Sequence, residues 1–320
     1  MQSIVMTETG GPEVLRVTDA PTPAPAPGEV LVRTHATGLN FIEIYQRTGG
    51  YPVALPFTPG AEASGVVEGL GEGVTGLRVG DRVCTAEAEG TYAELFTVRA
   101  ECAVVVPDGI ELDTAAALPL QGLTAHYLAT SAAHPEPGDT VLLHAGAGGV
   151  GLLLTQLLVA RGVRVITTTS DDDKAALSRA AGAWQAIGYD GFADAVRALT
   201  GGEGVPVVYD GVGHTTFDDS LASLAVRGKL VLFGAASGPV PPFNLQRLNA
   251  GGSLSITRPS LGHFVRTAAE RAERYRELFA LLEAGTLTVR IGARYPLAEA
   301  GVAQAALASR GTTGKVLLEP

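Results

Sequence analysis

One stretch, from Gly138 to Lys174, constrains the chain more than any other: a short apolar run, a cluster of glycines, an apolar segment of helical length and a second apolar run follow without interruption. Val141-Leu142-Leu143 is too short for a helix. Gly138-Asp139 precedes it and Ala145-Gly146-Ala147-Gly148-Gly149-Val150-Gly151 follows, so it reads as a buried parallel strand. Gly146, Gly148 and Gly151 stand in G-x-G-x-x-G register. In such a loop the first glycine permits a tight turn, the second lets backbone approach a pyrophosphate, and the third lets the next helix pack closely on the sheet. With 41 glycines in 320 residues the spacing also arises by chance, so its weight comes from context. Val150 to Arg161 is apolar nearly all round, Gly162 sits where a C-terminal cap belongs, and Val163 to Thr168 reads as the next strand. The unit is a dinucleotide grip whose helix N-terminus offers N–H groups and a positive dipole to phosphates.

At the end of the second strand an NAD site places Asp or Glu on the ribose 2'-hydroxyl, whereas this chain has Thr167-Thr168-Thr169-Ser170. Small hydroxyls leave room for a 2'-phosphate, and Lys174 would meet it as a point charge, which points to NADPH. The same residues also read as a helix start, with Ser170 as N-cap, Asp171 to Asp173 favouring the dipole and Lys174 solvated.

At 320 residues the expectation is about two domains. The net charge of -10 argues against a nucleic-acid groove or an anionic membrane surface as the main partner. Cys84 and Cys102 are the only cysteines, which excludes a disulfide framework and points to a reducing cytosol, with both thiols as buried small hydrophobes. The N-terminal residues carry neither a basic region nor an apolar core of a signal peptide, and no apolar stretch approaches the roughly 20 residues of a spanning helix. A soluble, cytoplasmic protein is expected.

Two textures divide the chain. Residues 1–120 show short alternating strands such as Glu29 to Arg33, with turns rich in Gly and Pro, and read as a β-rich domain. Residues 121–261 alternate strands and helices: after the opening unit, strands at Ala183 to Ile187, Val205 to Tyr209, Lys229 to Phe233 and Ser253 to Thr257 are separated by helices near Asp171 to Ala181, Phe192 to Leu199 and Thr216 to Val226. Six strands with crossovers fit a doubly wound sheet. Residues 262–320 contain an amphipathic helix at 263–284, whose arginines Arg271, Arg274 and Arg276 alternate with glutamates as on a solvated face. The tail strand Gly314 to Leu318 is expected to return to the first domain.

Gly38-Leu39-Asn40-Phe41, Pro59-Gly60-Ala61-Glu62, Gly80-Asp81-Arg82-Val83, the glycine stretch, Tyr209-Asp210-Gly211-Val212-Gly213 and Ile256-Thr257-Arg258-Pro259-Ser260 occur in order. With this ordered set, from about Val14 to Leu318, the chain resembles the zinc-free quinone oxidoreductases of the zeta-crystallin type, in the medium-chain dehydrogenase/reductase superfamily. The resemblance implies an α/β chain with a GroES-like β-rich catalytic domain and a Rossmann domain, and NADPH in the cleft between them. It implies Asn40, Tyr45 and Tyr51 at the nicotinamide and substrate end, and Gln121 and Thr124 near the nicotinamide ribose. Gly148, Gly149 and Val150 would meet the pyrophosphate, and Ser170, Lys174, Tyr189 and Arg310 the 2'-phosphate. Phe233, Gly234 and Ser237 would face the carboxamide from the sheet's carboxyl edge. Each has a plainer reading as well: Asn40 as an N-cap, Tyr45 and Tyr51 as half-buried packing, Thr124 bonded to its own helix, Tyr189 and Arg310 as surface packing.

Zinc-dependent relatives place Cys where Asn40 stands and His where Ala61 stands, and the six histidines are scattered, so no metal site is expected. His144 reads as a satisfied strand-end residue rather than a base. Reducing an ordinary ketone needs a Lewis acid or a placed proton donor. Without either, the acceptor must delocalise the incoming charge itself, as quinones and enones do. A reduced quinone is a phenolate with a pKa of about 10, which solvent can protonate. The expectation is therefore an NADPH-dependent reductase of small quinones. The rival readings are reduction of an enone or 2-enoyl thioester, and a non-catalytic NADPH-binding protein. The edge strand Ser253 to Thr257 offers a homodimer contact.

Overall fold

The strand Thr140–Leu143 is buried at every position, and the rest of its unit is laid out from it. The computed structural model describes residues 1–320 and resolves them into two units. Gly122–Glu270 with Gly285–Thr288 form the unit around this strand; Met1–Gln121, Arg271–Ala284 and Val289–Pro320 form the other.

In the first of these, six strands run in the order Gln185–Ile187, Arg164–Thr168, Thr140–Leu143, Val205–Asp210, Leu224–Leu232 and Ser255–Thr257, every pair parallel. The chain moves outward from Thr140–Leu143 to one edge, then returns to build the other half. The order therefore reverses between Thr140–Leu143 and Val205–Asp210, the topological switch point of a Rossmann sheet. Leu142, Ile166, Val208 and Leu230 from the strands pack with Phe192, Val196 and Phe217 from the crossover helices in one core. The strands are apolar on both faces because helices cover both. One expected helix is shorter than read: Phe217–Ala222 ends early because Leu224 already pairs with Val205. The register then shifts to Val207 opposite Lys229, with Arg227 at φ 64° in the irregular stretch.

The β-rich unit holds a seven-stranded sheet in the order Ile291–Pro296, Lys315–Glu319, Glu29–Gly38, Ala63–Leu70, Arg82–Thr85 and Val104–Val105, with Leu95–Arg99 also on Glu29–Gly38. Val30, Val32, Val67, Val83, Phe96 and Val98 fill its core. The C-terminal strand returns as expected, with Leu317 opposite Gly38. Strands 291–296 and 315–319 pair in parallel and the other neighbours are antiparallel. No helix of either unit is long and apolar enough to cross a membrane.

The amphipathic helix starts later than its pattern suggests, at Ala268–Glu283, where the Thr267 hydroxyl accepts the Glu270 N–H at 3.2 Å and marks the start. One of its arginines departs from the expected solvated face, which Arg276 keeps. Arg271 is buried, donates Nε and Nη2 to the Glu87 carboxylate and Nη1 to Glu101 O at 3.1 Å, and pins the helix to the β-rich unit. Periodicity did not separate this arginine from its neighbours, because its acid lies 184 positions away. Arg271→Ala should lower stability by roughly 2–3 kcal/mol, somewhat below a fully buried pair because Glu87 keeps some solvent. Urea unfolding of the variant beside the wild type measures this.

Candidate active site

The glycine loop leaves the buried strand at the switch point. His144 N–H donates to Tyr209 O at 3.0 Å and Gly146 N–H to Thr168 O at 3.0 Å, which ties the loop to the strands on both sides. A Cβ at Gly146 would lie 2.5 Å from Thr167 Cβ, and one at Gly151 would lie 2.2 Å from Ala145 O, so helix Gly149–Val159 can seat on the sheet only without side chains there. Gly148 is different: a Cβ there would approach only Ala145, at 3.2 Å to its oxygen. Gly148, Gly149 and Val150 are part-exposed while Gly146 and Gly151 are closed in, so two glycines serve packing and the 148–150 side is the open one. The first N–H groups of the helix have no intrahelical acceptor, and they belong to this side.

Beneath the loop lies a buried polar relay. Asp210 Oδ2 accepts the Ser220 hydroxyl at 2.9 Å, so Ser220 Oγ is left to accept from His144 Nε2 at 2.9 Å. His144 Nδ1 then accepts the Thr168 hydroxyl at 2.9 Å. This assignment gives a neutral imidazole with one donor and one acceptor, and burial depresses the His144 pKa in the same direction. His144 is thus fully satisfied, as the sequence suggested, and braces the strand ends. Tyr189 stacks on it with centroids 6.1 Å apart, and accepts the Ala145 N–H on its hydroxyl at 3.1 Å.

At the end of strand Arg164–Thr168, Thr167, Thr168 and Thr169 are buried and Ser170 emerges. The N-cap of helix Asp172–Ala180 is Asp171, not Ser170: its side chain accepts the Lys174 N–H at 2.9 Å. Ser170 instead accepts from Lys174 Nζ at 2.8 Å. Beyond strand Leu224–Leu232, Phe233 and Gly234 donate their N–H groups to Asp210 O, and the Ser237 hydroxyl donates to Val212 O at 2.8 Å while accepting the Thr215 N–H at 3.0 Å. Ser237 therefore braces the two loops against each other. Gln121 and Thr124 are buried on helix Pro119–Tyr127.

In the β-rich unit Asn40 caps helix Phe41–Arg47, and its N–H donates to Glu43 Oε2 at 2.7 Å, half of a capping box. The side chain is locked as well. Lys315 Nζ donates to Asn40 Oδ1 at 2.7 Å, and Asn40 Nδ2 donates to Glu62 Oε2 at 2.9 Å and to Gly38 O at 3.2 Å. Both amide hydrogens are thus spent inside the unit, leaving one acceptor lone pair. Lys315 also pairs with Glu62, whose Oε1 takes the Leu120 N–H at 2.8 Å. This buried Lys–Glu–Asn–Glu set went unread in the sequence, although Asn40 three residues before Glu43 is a capping-box signature and a lone lysine opening an apolar strand asks for a partner. The Tyr45 and Tyr51 rings lie 5.3 Å apart and tilted by 54°, and Phe41 lies 6.2 Å from Tyr45. Tyr51 is 44% exposed, more open than half-buried packing would make it. Arg310 is exposed at φ 61° in the turn after helix Ala300–Ala308. No group of three or more His, Cys, Asp or Glu in either unit has the arrangement to hold a metal ion.

Glu43 is the titrating member of the set. Burial raises its pKa to about 7 against the opposing pull of Lys315, and its Oε1 has no hydrogen-bond partner. Because the folded value exceeds the unfolded one, the fold holds more proton between about pH 4.5 and 7, and stability falls as pH rises through that window. Glu43→Gln keeps an acceptor for the Asn40 N–H and removes the proton. Chemical denaturation from pH 5 to 8 should find a fall on the order of 2–3 kcal/mol in the wild type that the variant lacks.

These features match known proteins along the whole chain. Residues 26–108 fit the family model of the alcohol dehydrogenase GroES-like domain, and residues 149–284 that of the zinc-binding dehydrogenase. The quinone oxidoreductase of Pseudomonas aeruginosa is 46% identical over 315 residues, 97% of each chain. The solved structure of mycobacterial Rv1454c complexed with NADPH superposes with a TM-score of 0.98 at 55% identity, covering 100% of both chains. Escherichia coli quinone oxidoreductase complexed with NADPH superposes with a TM-score of 0.98 at 40% identity, again over 100% of both chains. With this identity over its full length, and with the two sheets found above, the chain belongs to the quinone oxidoreductase family of the medium-chain dehydrogenases/reductases.

Proposed function

We propose that the chain is an NADPH-dependent quinone oxidoreductase that works without a metal. The observation that carries the reading is the end of strand Arg164–Thr168, where buried threonines give way to Ser170 and Lys174 in place of a strand-end acid. The residues fit the cofactor: the loop is open on its 148–150 side, and Lys174 and Ser170 offer a cation and a hydroxyl to a 2'-phosphate. Gly148, Gly149 and Val150 would take the pyrophosphate, and Tyr189, held over His144, would line the adenosine end. When bound, NADPH supplies the hydride.

The acceptor end is assigned to Asn40, Tyr45 and Tyr51. The ring pair of half-buried Tyr45 and exposed Tyr51 offers aromatic surface for a planar acceptor. Asn40, with both amide hydrogens engaged, contributes an acceptor lone pair and no proton. With no proton offered by Asn40, an acceptor that delocalises its own developing charge, as a quinone does, fits this end best, and a product with a pKa of about 10 can take its proton from solvent. The chain's contribution is orientation of the reactants. The test is anaerobic oxidation of NADPH and NADH against a benzoquinone, a naphthoquinone, a small enone and an enoyl thioester. Quinones with NADPH should turn over fastest. A faster enone or thioester would overturn the substrate assignment, and no binding of NADPH would overturn the whole reading.

The net charge of -10 and the two buried free cysteines support a cytoplasmic protein whose main partner is not a nucleic acid or an anionic membrane surface. We also propose a homodimer. Strand Ser255–Thr257 ends the six-stranded sheet and pairs on one side only, so its outer edge is open to a second copy. Ser255→Lys would bring like charges together there, and sedimentation velocity should show the dimer weakened; an unchanged dimer would place the contact elsewhere.

A further inference from the structure

Two of the residues assigned to the 2'-phosphate, Ser170 and Lys174, are already occupied by a carboxylate of this chain. Lys174 Nζ donates to Ser170 Oγ at 2.8 Å and lies 3.1 Å from Asp171 Oδ2. The Ser170 hydroxyl donates to the same Asp171 oxygen at 3.0 Å. The other Asp171 oxygen accepts the Lys174 N–H at 2.9 Å as the helix cap. The Ser170 hydroxyl and the Lys174 ammonium thus close a circuit on Asp171. The Lys174 backbone N–H, and then its side chain, hold the Asp171 carboxyl below the usual carboxylate range, so it is ionised at neutral pH.

A phosphate reaching this corner must draw Lys174 and Ser170 away from a fixed negative charge, or share them with it at close range. Either way its gain from Lys174 is offset by repulsion from Asp171. NADH, with a neutral 2'-hydroxyl, meets no such repulsion. Helix capping explains why an acid stands here, since Asp is a strong N-cap, but capping alone would be served by Asn as well.

We propose that Asp171 is a specificity-determining residue that holds Ser170 and Lys174 back from the ribose 2'-phosphate, so that this chain separates NADPH from NADH only modestly. The inference rests on the assignment of Ser170 and Lys174 made above, and it predicts that the preference is raised by a change in this chain's own acid. Asp171→Asn is the informative variant, because Asn keeps the cap and the size while removing the charge.

Calorimetric titration of the ligand-free full chain with NADPH and with NADH reads binding without turnover. Asp171→Asn should tighten NADPH about tenfold at low ionic strength and leave NADH within about twofold, and the gain should shrink in added salt. Asp173→Asn makes the same change in net charge two positions along the helix and should give a much smaller gain. Equal gains from the two variants would assign the effect to overall charge and overturn the role of Asp171. Lys174→Ala separates the two levels of the argument. If it weakens NADPH while Asp171→Asn leaves NADPH unchanged, the phosphate assignment stands and the role of Asp171 falls. If Lys174→Ala has no effect on NADPH, the assignment and the inference fall together.

Discussion

The β-rich unit depends on an ammonium group that has no access to water. Lys315 opens the last strand with its side chain fully buried, and desolvating such a charge is tolerable only with a close counter-charge and satisfied donors. Glu62 supplies the charge and Asn40 the second acceptor. Glu62 in turn accepts the Leu120 N–H, and its carbonyl accepts the Thr37 hydroxyl at 2.6 Å. The crowding is backbone-deep: a Cβ on Gly38 would lie 2.4 Å from Lys315 Cε and 2.8 Å from Ala116 O. Removing any one partner leaves the others unsatisfied in an apolar interior. This is why Asn40 is rigid, and why the C-terminal strand belongs to the same unit as residues near the N-terminus.

The Rossmann unit solves a comparable problem with neutral groups. Its loop must run close to the sheet edge, where any side chain at Gly146 or Gly151 would meet neighbouring atoms. The strand ends below are braced by the chain from Thr168 through His144 and Ser220 to Asp210, in which every polar atom has a partner. Asp210 also accepts the Val212 and Gly213 N–H groups at 2.8 and 2.9 Å, so one carboxylate fixes the turn that follows its strand. The rigid floor leaves the 148–150 side as the face for a ligand. Polarity is thus spent differently in the two units: on a charged pair that closes one of them, and on a neutral relay that supports a loop in the other.

Several features were legible because they are local. The glycine spacing, the apolar run at 141–143 and the helix Phe192–Leu199 express steric and periodic constraints that act over a few residues. The β-rich character of the first segment and the return of the tail were legible for the same reason, since strand alternation and turn residues are near-neighbour signals. What stayed hidden depends on distance along the chain. Arg271 looked like any surface arginine of its helix until Glu87 was placed beside it. Ser170 looked like the cap because serine is a good one, yet Asp171 won, being one position further along and ionised. Helix Phe217–Ala222 stopped short of its pattern because strand pairing claimed Leu224.

The sequence by itself determined the two kinds of layer, the order of strands and helices, and the positions where only glycine fits, because those follow from hard-sphere limits and from the periods of the two regular structures. Tertiary structure alone decided which polar side chains are free to act. Asn40 and Ser237 looked available in the sequence and are engaged inside their units, whereas Tyr51 is open. Lys174 was read as awaiting a ligand and is held by Asp171. The reason is physical: a buried polar atom must find a partner, and the partner for each was chosen by the folding of distant segments onto one another, which spacing along a chain does not encode.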